Sequence, residues 1–405
     1  MAVNVASLSL KPNIIHIIAD DLGWAQLGYH NEVAATLGEV KTPIIDQLIK
    51  LEALELDRFY TEKICSPSRC SFQTGRLGIH VNAQNIPPNF HNPFDKISGY
   101  QGAPLFMSTI AEMLRSSGYS THLVGKWDIG MATDDHTPAA RGYDTFLGYF
   151  HHTNDYWSHS EGTCSDNITL TKQSISQDEG VNKEVDSTTV GMYDLWRSNL
   201  TYNGPAYELT NGADCSDANQ SPDGQICRYE DDILLDEVLK VISTHDKTHA
   251  SSTPLFLVYT MHLVHFPLEV PQQQLNDFSY IDNPFRQRMA AMTNLIDQYV
   301  GQIVDSLKSI PGMWENSIVV FHGDNGGDIF CVDTCAGNNY PLRGGKFSTW
   351  EGGIRSPVRR KLYYIMYKFI YFYCINRYHH KGICNRWRGP CATPRTEEHR
   401  ADPHR

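Results

Sequence analysis

Two pairs of oxygen-bearing side chains, Asp20-Asp21 and Asp324-Asn325, each come directly after an apolar run. Either pair alone reads as a helix cap or a turn. Two pairs in the same setting point to a bound cation. Donors that are all oxygen suit Ca2+, with Mg2+ as the alternative, rather than Zn2+. Two further apolar runs end in Gly125-Lys126-Trp127-Asp128 and in the histidines His262 and His265. Four run ends therefore bring carboxylates, an amide, a lysine and histidines toward one polar site. A fifth segment, Cys65 to Arg76, couples a cysteine to Pro67, Ser68 and Arg69 and closes with Thr74-Gly75-Arg76.

The elements that must position these groups alternate between strand and helix. Asn13 to Ala19 is a continuous apolar run, as a strand buried on both faces requires. Tyr119 to Val124, Leu255 to Thr260 and Ser317 to Phe321 read as three more strands. Helical spacing covers Thr42 to Leu54, with Thr42 at the N-cap and Pro43 at the first helical position. It also covers Leu105 to Ser117 (ended by Gly118), Glu230 to Thr244 and Asn283 to Ser309. Such alternation predicts an α/β sheet covered on both faces, with ligands bound beyond the carboxyl ends of its strands. From His151 to Arg228 the pattern gives way to Ser, Thr, Asn, Asp and Gly, which predicts an insertion or surface excursion over 151–228.

With 405 residues the chain is long enough for a large core. A net charge of −12 argues against a nucleic-acid partner, which needs clustered Lys and Arg. Cys164, Cys215, Cys227, Cys331 and Cys335 lie in polar, loop-like stretches, which suits disulfides in an oxidising compartment. Asn167, Asn199 and Asn219 open Asn-x-Ser/Thr sequons. Met1 to Leu10 lacks the basic start and the apolar length of a signal peptide, and no apolar run reaches membrane-spanning length. Residues 1–12 read as an N-terminal segment. Residues 358–405 carry 11 Lys+Arg against 3 Asp+Glu and are rich in aromatic, His and Cys residues. That segment is either a basic tail or, as the abrupt change suggests, a mispredicted gene end.

Cys65 to Arg76 resembles the sulfatase signature Cys-x-Pro-Ser-Arg, four residues, Thr-Gly-Arg, at every fixed position. The resemblance extends over 13–357. It includes Ala19-Asp20-Asp21-Leu22-Gly23-Trp24, Arg141-Gly142-Tyr143-Asp144, Phe146-Leu147-Gly148-Tyr149 and Asp324-Asn325-Gly326-Gly327. Pro341 to Lys346 and Trp350 to Gly353 extend it further. The branch it looks most like is arylsulfatase B, the N-acetylgalactosamine-4-sulfatase type. It implies an alkaline-phosphatase-like α/β sandwich, with a central mixed, mostly parallel sheet flanked by helices. The family's smaller C-terminal subdomain is expected to be missing, since the likeness stops at Pro357.

The same resemblance implies the roles. Cys65 would be oxidised to formylglycine by a formylglycine-generating enzyme. Its hydrate would attack sulfur and later expel sulfate. Asp20, Asp21, Asp324 and Asn325, with residue 65, would hold the metal. Arg69 would fix the diol. Lys126 and Lys346 would neutralise sulfuryl charge, with Lys346 also contacting the leaving oxygen. His265 would bind sulfate or protonate the leaving group, and His262 would be structural. Asp128 departs from the family's Gly-Lys-Trp-His-Leu-Gly. It puts a carboxylate where a histidine takes a proton, which predicts impaired sulfate release. The leading expectation is thus a sulfuric ester hydrolase acting on sulfated carbohydrates or aryl sulfates, lysosomal or secreted. The alternatives are an impaired homologue that binds sulfated glycans and a related phosphatase or phosphonate hydrolase.

Overall fold

The computed structural model describes residues 11–81, 102–131, 133–161, 192–210, 227–249, 253–330 and 335–360. Cys164, Cys215, Cys331, Asn167, Asn219, Met1 to Leu10 and residues 361–405 lie outside the described residues. Nine strands form the main sheet. They are β1 (Asn13–Ala19), β2 (Leu54–Glu55), β3 (Ser120–Gly125), β4 (Thr145–Gly148), β5 (Trp196–Ser198), β6 (Asn203–Pro205), β7 (Leu255–Thr260), β8 (Ser317–Gly323) and β9 (Val358–Arg360). Their order is β2-β9-β8-β1-β7-β3-β4-β5-β6. The five strands from β8 to β4 are parallel, and the two at each edge are antiparallel. This is the expected mixed, mostly parallel sheet.

Alternation of side chains across the pleat builds two cores. Leu255, Leu257 and Tyr259 of β7 join one apolar cluster, while Phe256 and Val258 join the other. The larger core is closed by α1 (Pro43–Leu51), α4 (Glu230–His249) and α5 (Pro284–Ser309). The smaller is closed by α2 (Cys65–Thr74) and α3 (Ile110–Ser116). A central strand buried on both faces must be apolar at every position, and β7 is buried throughout.

One helix starts later than expected, and another starts as expected but is capped by a different side chain. α3 begins at Ile110 because Thr109 and Glu112 form a capping box: each side chain takes the other's backbone N–H. Residues from Leu105 to Met107 therefore stay outside the helix. Thr42 occupies the N-cap position of α1, but its hydroxyl bonds Asp46. The capping carboxylate is Asp297 of α5, which accepts from the N–H groups of Ile44 and Ile45 at 3.1 and 2.7 Å. The 151–228 stretch contributes β5 and β6, a short hairpin that extends the sheet edge. Ser160–Glu161 pairs separately with Met192–Tyr193. β9 continues the opposite edge past Pro357. Among the described residues, no helix is long and apolar enough to cross a membrane.

Candidate active site

The parallel strands end level with one another. Ala19 is in register with Gly323, Ile18 with Thr260, and Thr260 with Gly125. The residues just past each strand are therefore delivered to one edge. Gly125 makes this tight packing achievable: its φ is +104°, and a Cβ there would collide with the Thr260 carbonyl. Trp127, buried beneath the loop, donates its indole N–H to the carbonyls of Gly130 and His136. That anchor holds Lys126 and Asp128 on either side of it. Asp21 and Asp128 both have left-handed backbones, φ 55° and 50°. Asp tolerates that region better than most residues, and such strained positions gather at functional sites.

Cys65 opens α2, a helix with Pro67 in its first turn and left-handed Gly75 at its C-cap. One turn on, Arg69 lies on the same face as Cys65. Its Nε and Nη2 donate to Asp324 Oδ2 at 3.1 and 2.8 Å, and its Nη1 donates to the Lys126 carbonyl. Cys65 Sγ stands 3.3 Å from Asp20 Oδ1 and 3.9 Å from Asp21 Oδ1. Lys126 Nζ donates to Asp20 Oδ2 at 2.7 Å, and Lys346 Nζ to Asp21 Oδ2 at 2.7 Å. Lys346 reaches the site because its own N–H bonds the Gly327 carbonyl, while Phe347 N–H bonds Lys63 just before α2. His265 Nδ1 lies 2.8 Å from the Phe266 carbonyl, which must receive an N–H, so the lone pair is on Nε2, 3.0 Å from Lys346 Nζ.

All ten predicted site residues thus meet in one buried cluster, linked directly or through a shared partner. Asp128 joins through Ser66, whose hydroxyl donates to its Oδ1 at 2.9 Å, and it stands 3.8 Å from Lys126 Nζ. His262 faces away toward Glu230 and stacks on Tyr156, a structural setting.

Carboxylates and cations face one another inside the cluster. Burial raises Asp20, but Lys126 and its cationic neighbours outweigh that and hold it well below the usual carboxylate range. Burial pushes Asp21 up to about 7 against the pull of Lys346. Burial raises Asp324, with Asp20 adding to it, and raises Asp128. Burial pulls Lys126 and Lys346 down, yet Asp20 and Asp21 respectively more than restore them, so both stay charged. Burial and Lys346 drive His265 well below the ordinary imidazole range, leaving it neutral. Burial and Asp20 drive the Cys65 thiol well above the ordinary thiol range.

Asp20, Asp21 and Asp324, three of the four buried carboxylates in the cluster, suit a hard cation. Asp20, Asp21, Cys65 and His265 each offer a ligand atom within 4.8 Å of the others. Asn325 donates its Nδ2 to Asp21 Oδ1, while its buried Oδ1 has no protein partner. A buried amide oxygen left unpaired costs about 1–3 kcal/mol unless something completes it. A cation would complete it. Asp324 is more committed than the sequence implied, since Arg69 takes Oδ2 and the Asp21 N–H takes Oδ1.

Of two further residues near the cluster, the sequence reading takes one only as part of a motif and does not single out the other at all. Tyr149, fully buried with an unpartnered hydroxyl, feels both Asp20 and Arg69. His152 feels Lys126 and Lys346. Both come after β4, whose four residues were not read as a strand. Recognising Thr145 to Gly148 as one would have marked its end as a fifth contributor.

A sulfatase family model matches residues 12–358. Mouse arylsulfatase J is 33% identical over 348 residues, which is 85% of this chain and 47% of the mouse protein. Human arylsulfatase A is 27% identical, over 87% of this chain and 59% of its own length. Rat N-acetylgalactosamine-6-sulfatase is 27% identical, over 86% and 56%. The chain spans about half the length of these curated relatives. Among solved structures, a Pseudoalteromonas sp. sulfatase, PsFucS1, superposes with a TM-score of 0.64 and 25% identity, covering 88% of this chain and 63% of its own. Ps i-CgsB in complex with k-i-k-neocarrahexaose gives 0.63 and 26%, covering 87% and 66%.

Proposed function

This chain belongs to the sulfatase family, and on that premise we propose that it is a sulfuric ester hydrolase acting on sulfated carbohydrates or aryl sulfates. The observation that carries the proposal is the convergence on Cys65 of three buried carboxylates, two charged lysines, Arg69 and a neutral histidine. Asp20, Asp21, Asp324 and Asn325 would hold a divalent cation, Ca2+ or Mg2+, which when bound polarises the sulfate oxygens. The signature Cys65-Ser66-Pro67-Ser68-Arg69 closing in Thr74-Gly75-Arg76 argues for conversion to formylglycine, whose hydrate supplies the nucleophilic hydroxyl and a second hydroxyl that lets sulfate depart.

The chain's other residues have assignable work. Lys126 and Lys346 neutralise charge on the sulfuryl group. Arg69, locked to Asp324, positions residue 65 relative to the carboxylates. His265 presents Nε2 beside Lys346, so that pair can pass a proton to the leaving oxygen. The disulfide bonds of Cys227 and Cys335 and the exposed turn at Asn199 favour a lysosomal or secreted protein, matured by a formylglycine-generating enzyme.

The test is hydrolysis of 4-methylumbelliferyl sulfate against the corresponding phosphate, by protein co-expressed with a formylglycine-generating enzyme. Sulfate release, lost in Cys65→Ala, together with a formylglycine mass at residue 65, is the expected result. Preferential phosphate release, or full activity with unmodified Cys65, would overturn it. A second reading, an impaired homologue that binds sulfated glycans, is favoured by Asp128 alone. It predicts glycan binding without turnover.

A further inference from the structure

Resting on the sulfatase reading, we propose that His152 is a substrate-contacting residue of this chain, hydrogen-bonding the sulfate ester at the mouth of the site. The path of the loop after β4 places it there. Tyr149 and Phe150 extend the ladder past the strand, their carbonyls accepting from the N–H groups of Trp127 and Asp128 at 2.9 and 3.2 Å. Asp194 then pins the loop, accepting from the N–H groups of Phe150 and His151 and from the His151 ring. Thr153 ties the far end to the Phe266 carbonyl at 3.2 Å, next to His265. The loop therefore runs from Asp128 on one side of the cluster to His265 on the other. From Tyr149 to Asn154, His152 is the one side chain that is not buried.

A histidine held for packing would be expected to satisfy its ring nitrogens within the protein. His152 Nδ1 is buried with no hydrogen-bond partner, although the residue as a whole is partly exposed. Burial, reinforced by Lys126 and Lys346, the two lysines assigned to the sulfuryl group, lowers the His152 imidazole to about 3. A neutral imidazole there offers one N–H and one lone pair to a bound ester. Near Lys126 and Lys346 such a ring can meet an anion without adding a third fixed charge.

The experiment uses full-length protein with His152→Ala and His152→Asn, the second placing an amide where Nδ1 lies. Direct binding of inorganic sulfate and of 4-methylumbelliferyl sulfate is measured by calorimetry alongside KM and kcat. Alanine should weaken both affinities and raise KM by about tenfold, with an unchanged melting temperature, and asparagine should recover most of the loss. The 15N signal of His152 Nδ1 in the parent should move when sulfate is added. Unchanged affinities in a folded alanine variant, or an Nδ1 signal indifferent to sulfate, would overturn the assignment and leave water as the partner. Because binding is read without turnover, an inactive parent that binds sulfate through His152 defeats the hydrolase reading and leaves this one standing.

Discussion

Replacing Asp128 probes the sharpest departure in the site. Its Oδ1 takes the Ser66 hydroxyl, while its Oδ2 is buried, accepts no hydrogen bond and stands 3.8 Å from Lys126 Nζ. At an effective dielectric of about 20, that separation corresponds to an attraction of about 4 kcal/mol between full charges. The carboxylate thus competes for the ammonium that should neutralise the sulfuryl group. A sulfate oxygen about 5 Å away would also be repelled by about 3 kcal/mol on the same scale. Burial raises Asp128, so part of this charge is lost to protonation. A net gain of about 1.4–2.7 kcal/mol, or about 10- to 100-fold in kcat/KM, is expected from removing it.

Two variants divide the effect. Asp128→Asn keeps an acceptor for Ser66 and removes the charge, so it should lower KM. Asp128→His also supplies a base, so it should raise kcat. The backbone permits both, since φ is 50° and Asn and His are enriched in that region. The sign of the pH dependence comes from the raised carboxyl. As pH falls through its pKa, Asp128 becomes neutral and the advantage of Asp128→Asn should shrink. Steady-state kinetics on 4-methylumbelliferyl sulfate across that range is the assay. If both folded variants stay within about twofold of the parent at every pH, the electrostatic reasoning is wrong.

Ca2+ or Mg2+ at about a hundred times its Kd should stabilise the fold by about 2.7 kcal/mol, raising the thermal midpoint in a chelator-reversible way. Asn325→Ala should lose most of that shift, and a parent indifferent to both ions would remove the metal from the site. Asp297→Ala strips the cap from α1, leaving the N–H groups of Ile44 and Ile45 unpaired. It should cost about 1–2 kcal/mol in urea unfolding, and no measurable loss would show that water caps the helix equally well.

How legible the site was depended on how strongly burial shaped each element. β1, β7 and β8 are long and bordered by strands on both sides, so they had to be apolar runs, and their ends located Asp20, His265 and Asp324. β4 is only four residues long and made of Thr, Phe, Leu and Gly, too short to show a period. Its continuation was therefore absent from the inventory of strand ends, and with it Tyr149 and His152. α2 stayed hidden for the opposite reason. It buries Ser66, Ser68, Arg69 and Gln73, polar residues that an amphipathic pattern assigns to solvent. They are inside because the site is polar: Ser66 serves Asp128, Arg69 serves Asp324, and Gln73 serves Tyr143. Roles were less legible than membership. The tautomer of His265 depends on the Phe266 carbonyl, and Asp324's commitment to Arg69 depends on a contact 255 residues apart. The pairing of Asp128 with the His152 loop belongs to that second kind. A motif shows the carboxylate at 128 as a loss, whereas the Asp128 N–H to Phe150 carbonyl bond shows which loop runs beside it.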